Sequence, residues 1–286
     1  MRRGPRFPMD LTVLCDNTTL IDRYFLGEPG ISFHIRDGET TVLFDLGYSD
    51  IFLQNAMAMG IDLLRTNIVA FSHAHLDHTW GLMPLLGHRA RAVIEGQEQI
   101  SPTFLAHPAI FRSVTAGGVP EIGMPVDETA LARQGEVRLS REPVWITDDL
   151  VFLGEIPGRF PFEDQNTVGE CGGAPDTVPD DTALAYCSED GLVVITGCAH
   201  AGICSTIARA KEVCGESRIA CVIGGFHLLT AAKEQIDATC RYFAGLDAGA
   251  VHPCHCTGLP ATIALAGVAN VRETGVGLRL SFSGRS

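Results

Sequence analysis

The sequence predicts a mixed α/β fold in which two β-sheets pack together and helices cover their outer faces. Two strand-rich halves with helical patterns between the strands indicate this arrangement. The chain has 286 residues, of which 46% are hydrophobic and 19% are charged. It can therefore bury a substantial core, and its length suits one large domain or two small ones.

The predicted strands are short runs rich in Val, Ile, Leu or Phe, bounded by Gly, Asp or Pro. In the first half they are Asp10–Cys15, Ile31–Arg36, Thr41–Asp45, Asn67–Ser72 and Arg91–Glu95. In the second half they are Leu150–Leu153, Thr182–Cys187, Leu192–Thr196, Arg218–Ile223, Ala248–His252 and Val276–Phe282. These two groups of runs predict the two sheets.

The predicted helices lie between these strands. The clearest boundaries belong to Asp50–Met59, which follows Ser49 as a cap and stops at Gly60. The other predicted helices are Trp80–Leu86, Cys204–Cys214, Ala231–Gly245 and Thr262–Ala266.

The pattern predicts one folded domain over residues 10–286, preceded by a disordered extension over residues 1–9. Residues 97–143 contain five prolines and a Gly-Gly pair without clean periodicity. We interpret them as an inserted lid or substrate loop of the same domain. A second loop rich in Gly, Pro and Asp runs over Arg159–Asp181.

The net charge and the cysteine pattern limit the expected binding partners and the expected cellular location. The net charge of −13 argues against broad electrostatic binding to nucleic acid or to anionic membranes. The ten Cys are scattered along the chain, which indicates reduced thiols more than a disulfide framework. With neither a signal peptide nor an apolar run of transmembrane length, we expect a cytoplasmic protein. Its expected partner is a small anionic molecule, and the oligomeric state stays open.

The most informative motif is His-Ala-His-Leu-Asp-His at residues 73–78, directly after an apolar run. Imidazole suits zinc, iron and similar metals, and a carboxylate adds an oxygen ligand. On a loop leaving a strand, His73 and His75 can bind one ion while Asp77 and His78 face a second. Four such side chains would be costly to bury unsatisfied, so the motif predicts a metal site.

Three later histidines also follow predicted strands. His200 and His255 have the placement of metal ligands near the ends of their strands. His227 follows a Gly-Gly pair, and metal-ligand, proton-donor and substrate-contact roles are equally open for it. Asp45 ends a predicted strand, where it either orients a metal-binding His or is a simple turn residue.

The motif at residues 73–78, together with Phe-Asp-Leu-Gly at residues 44–47, resembles the metallo-β-lactamase superfamily. Residues 13–19, 154–157, 197–202, 225–228 and 255–258 are similar to its branch of 7,8-dihydropterin-6-methyl-4-(β-D-ribofuranosyl)-aminobenzene-5′-phosphate synthases. The resemblance implies an αββα four-layer sandwich with the metal site at one edge between the sheets.

The resemblance also implies a ligand set for two divalent metal ions, with zinc expected first and iron or manganese as alternatives. One ion would be held by His73, His75 and His200, and the other by Asp77, His78 and His255. The superfamily usually has a bridging Asp, and Cys198 stands near that place. His227 is an alternative ligand there.

The chain departs from the branch at four points near the expected substrate side. It has Glu-Pro-Gly at residues 28–30 where the branch has Glu-His-Gly, and Leu76 where the branch has Tyr. Trp80 occupies a glycine position, and Gly158 separates the branch's Ile-Pro from its Arg. The substrate of the branch therefore does not transfer directly.

The main hypothesis is a metal-dependent hydrolase that acts on a small phosphorylated or anionic substrate through a metal-activated water. Asp77 would bind metal and orient the water, and His227 would donate a proton. Asn17 and Arg159 are the expected substrate contacts. One alternative is a synthase of pterin cofactor formation, as the branch suggests. Another is a non-catalytic ligand-binding or redox-sensing module, which the cysteines motivate.

Overall fold

The computed structural model describes residues 8–163 and 167–285, and two sheets dominate it. The first sheet has seven strands. In chain order they are β1 (Met9–Cys15), β2 (Ser32–Asp37), β3 (Thr40–Phe44), β4 (Ile68–Ala70), β5 (Thr103–Ala106), β6 (Glu136–Leu139) and β15 (Arg279–Phe282). Their spatial order is β15-β1-β2-β3-β4-β5-β6, antiparallel up to β3 and parallel from β3 to β6.

The second sheet has six strands in the spatial order β14-β13-β12-β11-β8-β7. They are β7 (Val144–Trp145), β8 (Leu150–Phe152), β11 (Ala183–Ser188), β12 (Gly191–Thr196), β13 (Ile219–Gly225) and β14 (Ala250–Cys254). The last three run parallel to one another. A separate two-stranded ribbon joins β9 (Glu170–Cys171) to β10 (Ala174–Pro175).

Helices cover the outer face of each sheet. They are α1 (Ile51–Ala58), α2 (Leu76–Thr79), α3 (Leu82–Ile94), α4 (Glu128–Leu131), α5 (Ile203–Cys214), α6 (Lys233–Ala244) and α7 (Leu259–Ala266). Single turns of 3₁₀ helix lie at Leu63–Arg65, Pro108–Phe111 and His255–Thr257.

Three buried clusters define the four layers. One lies between the sheets and includes Phe33 and Phe44 of the first sheet and Phe152 and Tyr186 of the second. The second cluster packs the first sheet against α1 and α3, and the third packs the second sheet against α5, α6 and α7. Since each sheet buries both faces, the predicted αββα sandwich is confirmed.

The predicted strand Arg91–Glu95 is wrong, because α3 continues to Ile94. The buried positions of α3 are Leu82, Leu85, Arg89 and Ala92, which lie on one helical face. Local apolar residues at 92–94 resemble a strand, and packing against the first sheet selects the helix instead. The predicted short helix Trp80–Leu86 is therefore the start of a longer one.

The predicted N-terminal extension and the predicted inserted lid or substrate loop need smaller corrections. Residues 1–7 of the expected N-terminal extension lie outside the described residues, whereas Met9 is buried and begins β1. The expected insertion over residues 97–143 contains β5 and β6, which extend the first sheet. Only four residues long and preceded by Pro102, β5 offers too short a pattern to be recognised locally.

The loops at 107–127 and 167–181 lie against each other. Thr115 and Glu170 exchange two backbone hydrogen bonds. Arg112 is nearly buried, and its guanidinium pairs with the buried carboxylates of Asp176 and Asp180. This ion-pair cluster, which we call the Arg112 clasp, joins the two loops.

Within the described ranges, no helix is long and apolar enough to cross a membrane. All ten cysteines lie in those ranges, and each is a free thiol.

Candidate metal centre

Ligand-type side chains converge because their loops follow parallel strands. His73 and its neighbours follow β4, the segment with Cys198 and His200 follows β12, and His227 and His255 follow β13 and β14. The carboxyl ends of parallel strands meet at one edge of each sheet, and the two sheets pack so that the loop after β4 faces the loops after β12, β13 and β14. His227 and His255 have φ angles of 50° and 49°, a left-handed region that few non-glycine residues adopt.

The first group is the triad of His73, His75 and His200. One ring nitrogen from each lies within 4.8 Å of the other two, and all three side chains are buried. Burial lowers the pKa of His75 to about 4, and it lowers the pKa values of His73 and His200 well below 6.5. The imidazoles are therefore neutral at pH 7, the form that binds a metal ion.

The second group is the triad of Asp77, His78 and His255, whose ligand atoms also lie within 4.8 Å of one another. Asp77 Oδ2 is 3.2 Å from His255 Nε2, and Asp77 Oδ1 is 3.8 Å from His78 Nε2. Burial lowers the pKa of His255, but the hydrogen bond with Asp77 and the negative charge of Asp77 outweigh it, so the pKa of His255 is raised to about 9. Binding a cation here would therefore displace protons from this triad.

Cys198 lies between the two triads. Its Sγ is 3.1 Å from His78 Nε2, and it belongs to candidate ligand groups with His73 and His78, with His200 and His227, and with His255 and Cys256. Burial and the adjacent Cys256 raise the pKa of the Cys198 thiol. A sulfur atom thus stands between the two sets of ligands.

Asp45 is fully buried, and it contacts His78 and Ser72 on the side away from the candidate ligand atoms. It accepts hydrogen bonds from Ser72 N at 2.7 Å and from Ser72 Oγ at 2.6 Å. Its Oδ2 also lies 2.7 Å from His78 Nδ1, and Ser72 Oγ is 2.9 Å from His73 Nδ1. With Nδ1 of His78 engaged, Nε2 is turned toward the site, which is how carboxylates orient metal-binding histidines.

Two further carboxylates were missed from the sequence. Asp16, directly after β1, accepts a hydrogen bond from His255 N at 3.0 Å. Asp181, just before β11, accepts one from Ala201 N at 2.9 Å and so holds the loop of His200. Both side chains are almost fully buried, and burial raises the pKa of Asp181 to about 7. The only local signal was an Asp beside a buried strand.

The triads open into a cavity of about 580 Å³. Its lining comprises Asn17, Pro29, Tyr48, His75, Leu76, Asp77, Ile122, Val168, Cys198, His200, His227, Leu229, His255 and Cys256. A volume of this size is typical of small-molecule sites.

The two predicted substrate contacts have different surroundings. Asn17 lines the cavity, and its Oδ1 lies 2.9 Å from His255 Nδ1, so it also holds a candidate ligand. The structure does not bring Arg159 to this cavity, because its guanidinium pairs with Glu212 on α5. The backbone N–H of Arg159 donates to Ser205 Oγ at 3.0 Å, which also directs this segment toward α5.

The residues present fit a divalent metal ion. Buried His75 Nε2 has no hydrogen-bond partner within residues 8–163 and 167–285, although it belongs to a group of three ring nitrogens. An unpaired buried nitrogen calls for a ligand or ion. Imidazoles joined by one carboxylate and one thiol form a donor set that suits zinc or iron.

Comparison with known proteins identifies the family of the chain. A family model described as the metallo-beta-lactamase superfamily matches residues 27–211. The 7,8-dihydropterin-6-methyl-4-(beta-D-ribofuranosyl)-aminobenzene-5'-phosphate synthase of Methanocaldococcus jannaschii is 31% identical over 255 residues, which are 83% of each chain. The structure of Tm1679, a metal-dependent hydrolase of the beta-lactamase superfamily, is 28% identical with a TM-score of 0.78, covering 96% of this chain and 99% of that one.

YhfI from Bacillus subtilis, a metallo-beta-lactamase fold protein, is 14% identical with a TM-score of 0.61, and the match covers 96% of this chain and 99% of that one. It shares the fold. From the matched family model and these similarities, the chain belongs to the metallo-beta-lactamase superfamily.

Proposed function

We propose that this protein is a metal-dependent hydrolase that acts on a small phosphorylated or otherwise anionic substrate through a metal-activated water. The observation that carries the proposal is the pair of triads on one cavity, each with its ligand atoms within 4.8 Å. One divalent ion would be held by His73, His75 and His200, and a second by Asp77, His78 and His255. Zinc is the expected metal, with iron and manganese as alternatives.

The ions, when bound, would lower the pKa of a water molecule and polarise a substrate oxygen. The chain would supply orientation and protons. The carboxylate of Asp77 lines the cavity and is an acceptor that can orient the attacking water. His227 also lines the cavity, and its Nδ1 has no hydrogen-bond partner in the described part of the chain. It is our candidate proton donor to the leaving oxygen.

The cavity itself explains why an anionic substrate needs the metal. Neither Lys nor Arg occurs among the described residues that line it. With no cationic side chain of that kind, the charge of a phosphate group would be balanced by the bound ions. Metal removal should therefore abolish substrate binding as well as turnover.

A second candidate function is a synthase that acts on pterin-type substrates at the same site. The relative with 31% identity over 83% of this chain carries that name, and this similarity favours the hypothesis. Thermal stabilisation by a dihydropterin or an aminobenzoate, without phosphoesterase activity, would support the synthase. Tight binding without turnover for every added metal would instead support the binding or redox-sensing module.

The first experiment measures metal content and phosphoesterase activity together. We compare the wild-type protein with His75→Ala and with the control His88→Ala, which changes a histidine of α3 away from the triads. The expected result is about two zinc or iron ions per chain, with metal and activity lost only in His75→Ala. Equal activity in His75→Ala and the wild type would contradict the proposal, and a single ion per chain would contradict the dinuclear site.

A further inference from the structure

Tyr48, one ring of an aromatic pair, forms part of the cavity wall. The rings of Tyr48 and Trp80 are stacked, with centroids 5.5 Å apart and an interplanar angle of 20°. Tyr48 lines the cavity and is 45% exposed, whereas Trp80 is half-buried and backs the Tyr48 ring. An exposed ring supported by a second ring offers a flat, prearranged surface for a third.

Hydrogen bonds hold both aromatic residues in place. Trp80 Nε1 donates to Gly123 O at 2.8 Å. Trp80 directly follows the last residue of α2, and its backbone N–H donates to Leu76 O. The backbone N–H of Tyr48 donates to Glu28 Oε1 at 3.0 Å. Because the Trp80 ring and the Tyr48 backbone are held before a ligand arrives, less conformational entropy would be lost on binding.

The cavity has two chemically different parts. One part consists of the candidate metal ligands and Asn17. The other is apolar or aromatic, and its members are Pro29, Tyr48, Leu76, Ile122, Val168 and Leu229. An ion as small and polar as phosphate would leave this apolar wall in contact with water, at a cost that an organic group would remove.

We propose that Tyr48, supported by Trp80, stacks against a flat aromatic or heteroaromatic ring of the substrate. The metal centre would bind the anionic group of the same molecule. Binding of the anion rests on the proposed function, whereas stacking on Tyr48 does not. The substrate class is therefore an aryl or heteroaryl compound that carries a phosphate or similar anion. Tyr48 is a specificity-determining residue in this proposal, and the chemistry stays with the metal centre.

The test compares phenylphosphonate with methylphosphonate, which carry the same anion and differ in the ring. Isothermal titration calorimetry measures both affinities for the zinc-loaded protein. Trp145→Phe serves as the parent, so that Trp80 is the single tryptophan and its fluorescence reports on the pair. Phenylphosphonate should bind at least about 10-fold more tightly and should quench Trp80, since the ring gains stacking and apolar contact.

Two substitutions at Tyr48 then separate stacking from general apolar contact. Tyr48→Phe keeps the ring and should retain the preference for phenylphosphonate. Tyr48→Leu keeps an apolar side chain and should reduce that preference by about 3- to 10-fold. Zinc content equal to that of the parent shows that each variant is folded at the site. Equal binding of both phosphonates, or an unchanged preference in Tyr48→Leu, would overturn the proposal.

If neither phosphonate binds, the proposed anion site fails and the aromatic surface is tested alone. Benzamide, which is neutral and flat, is then added to the same proteins. Quenching of Trp80 in the parent and Tyr48→Phe, but not in Tyr48→Leu, would support the stacking surface. Absence of quenching in the parent would overturn it.

Discussion

Asp45→Asn tests how the candidate metal ligands are oriented. Asp45 is fully buried and has a φ of 57°, a region in which Asn is tolerated as well as Asp. The substitution therefore keeps the backbone and side-chain shape. It removes the negative charge and replaces one acceptor oxygen by a donor, which faces Ser72 or His78.

The expected magnitude follows from the contacts. Loss of a carboxylate that orients a metal-binding histidine typically weakens metal affinity by about 10- to 100-fold, or about 1.4–2.7 kcal/mol. Asp45 touches His78 directly and reaches His73 only through Ser72. The loss should therefore fall mainly on the ion held by Asp77, His78 and His255, and the other ion should be retained.

The assay measures zinc affinity by competition with a chromophoric chelator. Such a titration distinguishes a tight site from a weakened one. Asp50→Asn is the control, because it makes the same chemical change at an exposed residue next to α1. Ser72→Ala should weaken both ions slightly, since the hydroxyl contacts Asp45 and His73. Unchanged zinc affinity in Asp45→Asn, or equal loss at both sites, would refute the reasoning.

Three further predictions concern stability. Arg112→Leu leaves two buried carboxylates unpaired in the Arg112 clasp and should lower the free energy of unfolding by about 3–5 kcal/mol in urea titrations. Burial lowers the pKa of His34 from 6.5 to about 4, so the unfolded chain binds more protons below pH 6.5 and folded stability falls as the pH decreases toward 4. At about 1.4 kcal/mol per unit, His34→Gln should lose about 2 kcal/mol less than the wild type between pH 7 and pH 5, measured on chelator-treated protein. Gly81→Ala places a Cβ 2.0 Å from a backbone oxygen and should destabilise the protein by about 3 kcal/mol. Gly87→Ala in α3 places a Cβ that meets no atom within 4 Å, and it should stabilise the protein by about 0.5–1 kcal/mol. Melting temperatures measure both effects.

Each of these has a contrary outcome. Arg218→Leu removes an exposed partner of Glu216 and is the control for Arg112→Leu; equal effects of the two would contradict a buried clasp. Equal acid losses in His34→Gln and the wild type would show that another group carries the pH dependence. A stable Gly81→Ala protein would mean that the turn before α3 shifts at little cost.

The ligand histidines were recognisable from the sequence because their signals are local. His73, His75, Asp77 and His78 lie within six residues, and each of the later histidines follows a strand of its own. The strands themselves show as apolar runs, since a strand buried on both faces needs side chains of one kind throughout. Pattern and resemblance together therefore predicted the layers and the two triads that the structure brings together.

Two carboxylates that support the candidate ligands, Asp16 and Asp181, escaped prediction because their partners are distant in the chain. Asp16 holds His255 across 239 positions, and Asp181 holds Ala201 across 20. An Asp beside a strand has the same local sequence whether it caps a turn or orients a ligand. Arg159 was expected near the substrate, but the structure pairs it with Glu212, 53 positions away. Nothing in the local sequence indicates Glu212 as its partner.

The sequence by itself determined the kind of protein: a two-sheet sandwich with imidazole and carboxylate side chains that are candidate metal ligands. Composition, apolar runs and short motifs carry that information because each depends on neighbours along the chain. Only the tertiary structure decided that Asp16 holds the backbone of His255, that the Arg112 clasp joins two loops, and that Tyr48 stacks on Trp80 beside the candidate metal ligands. Those contacts arise when the two sheets pack, because packing brings together side chains that no local pattern relates.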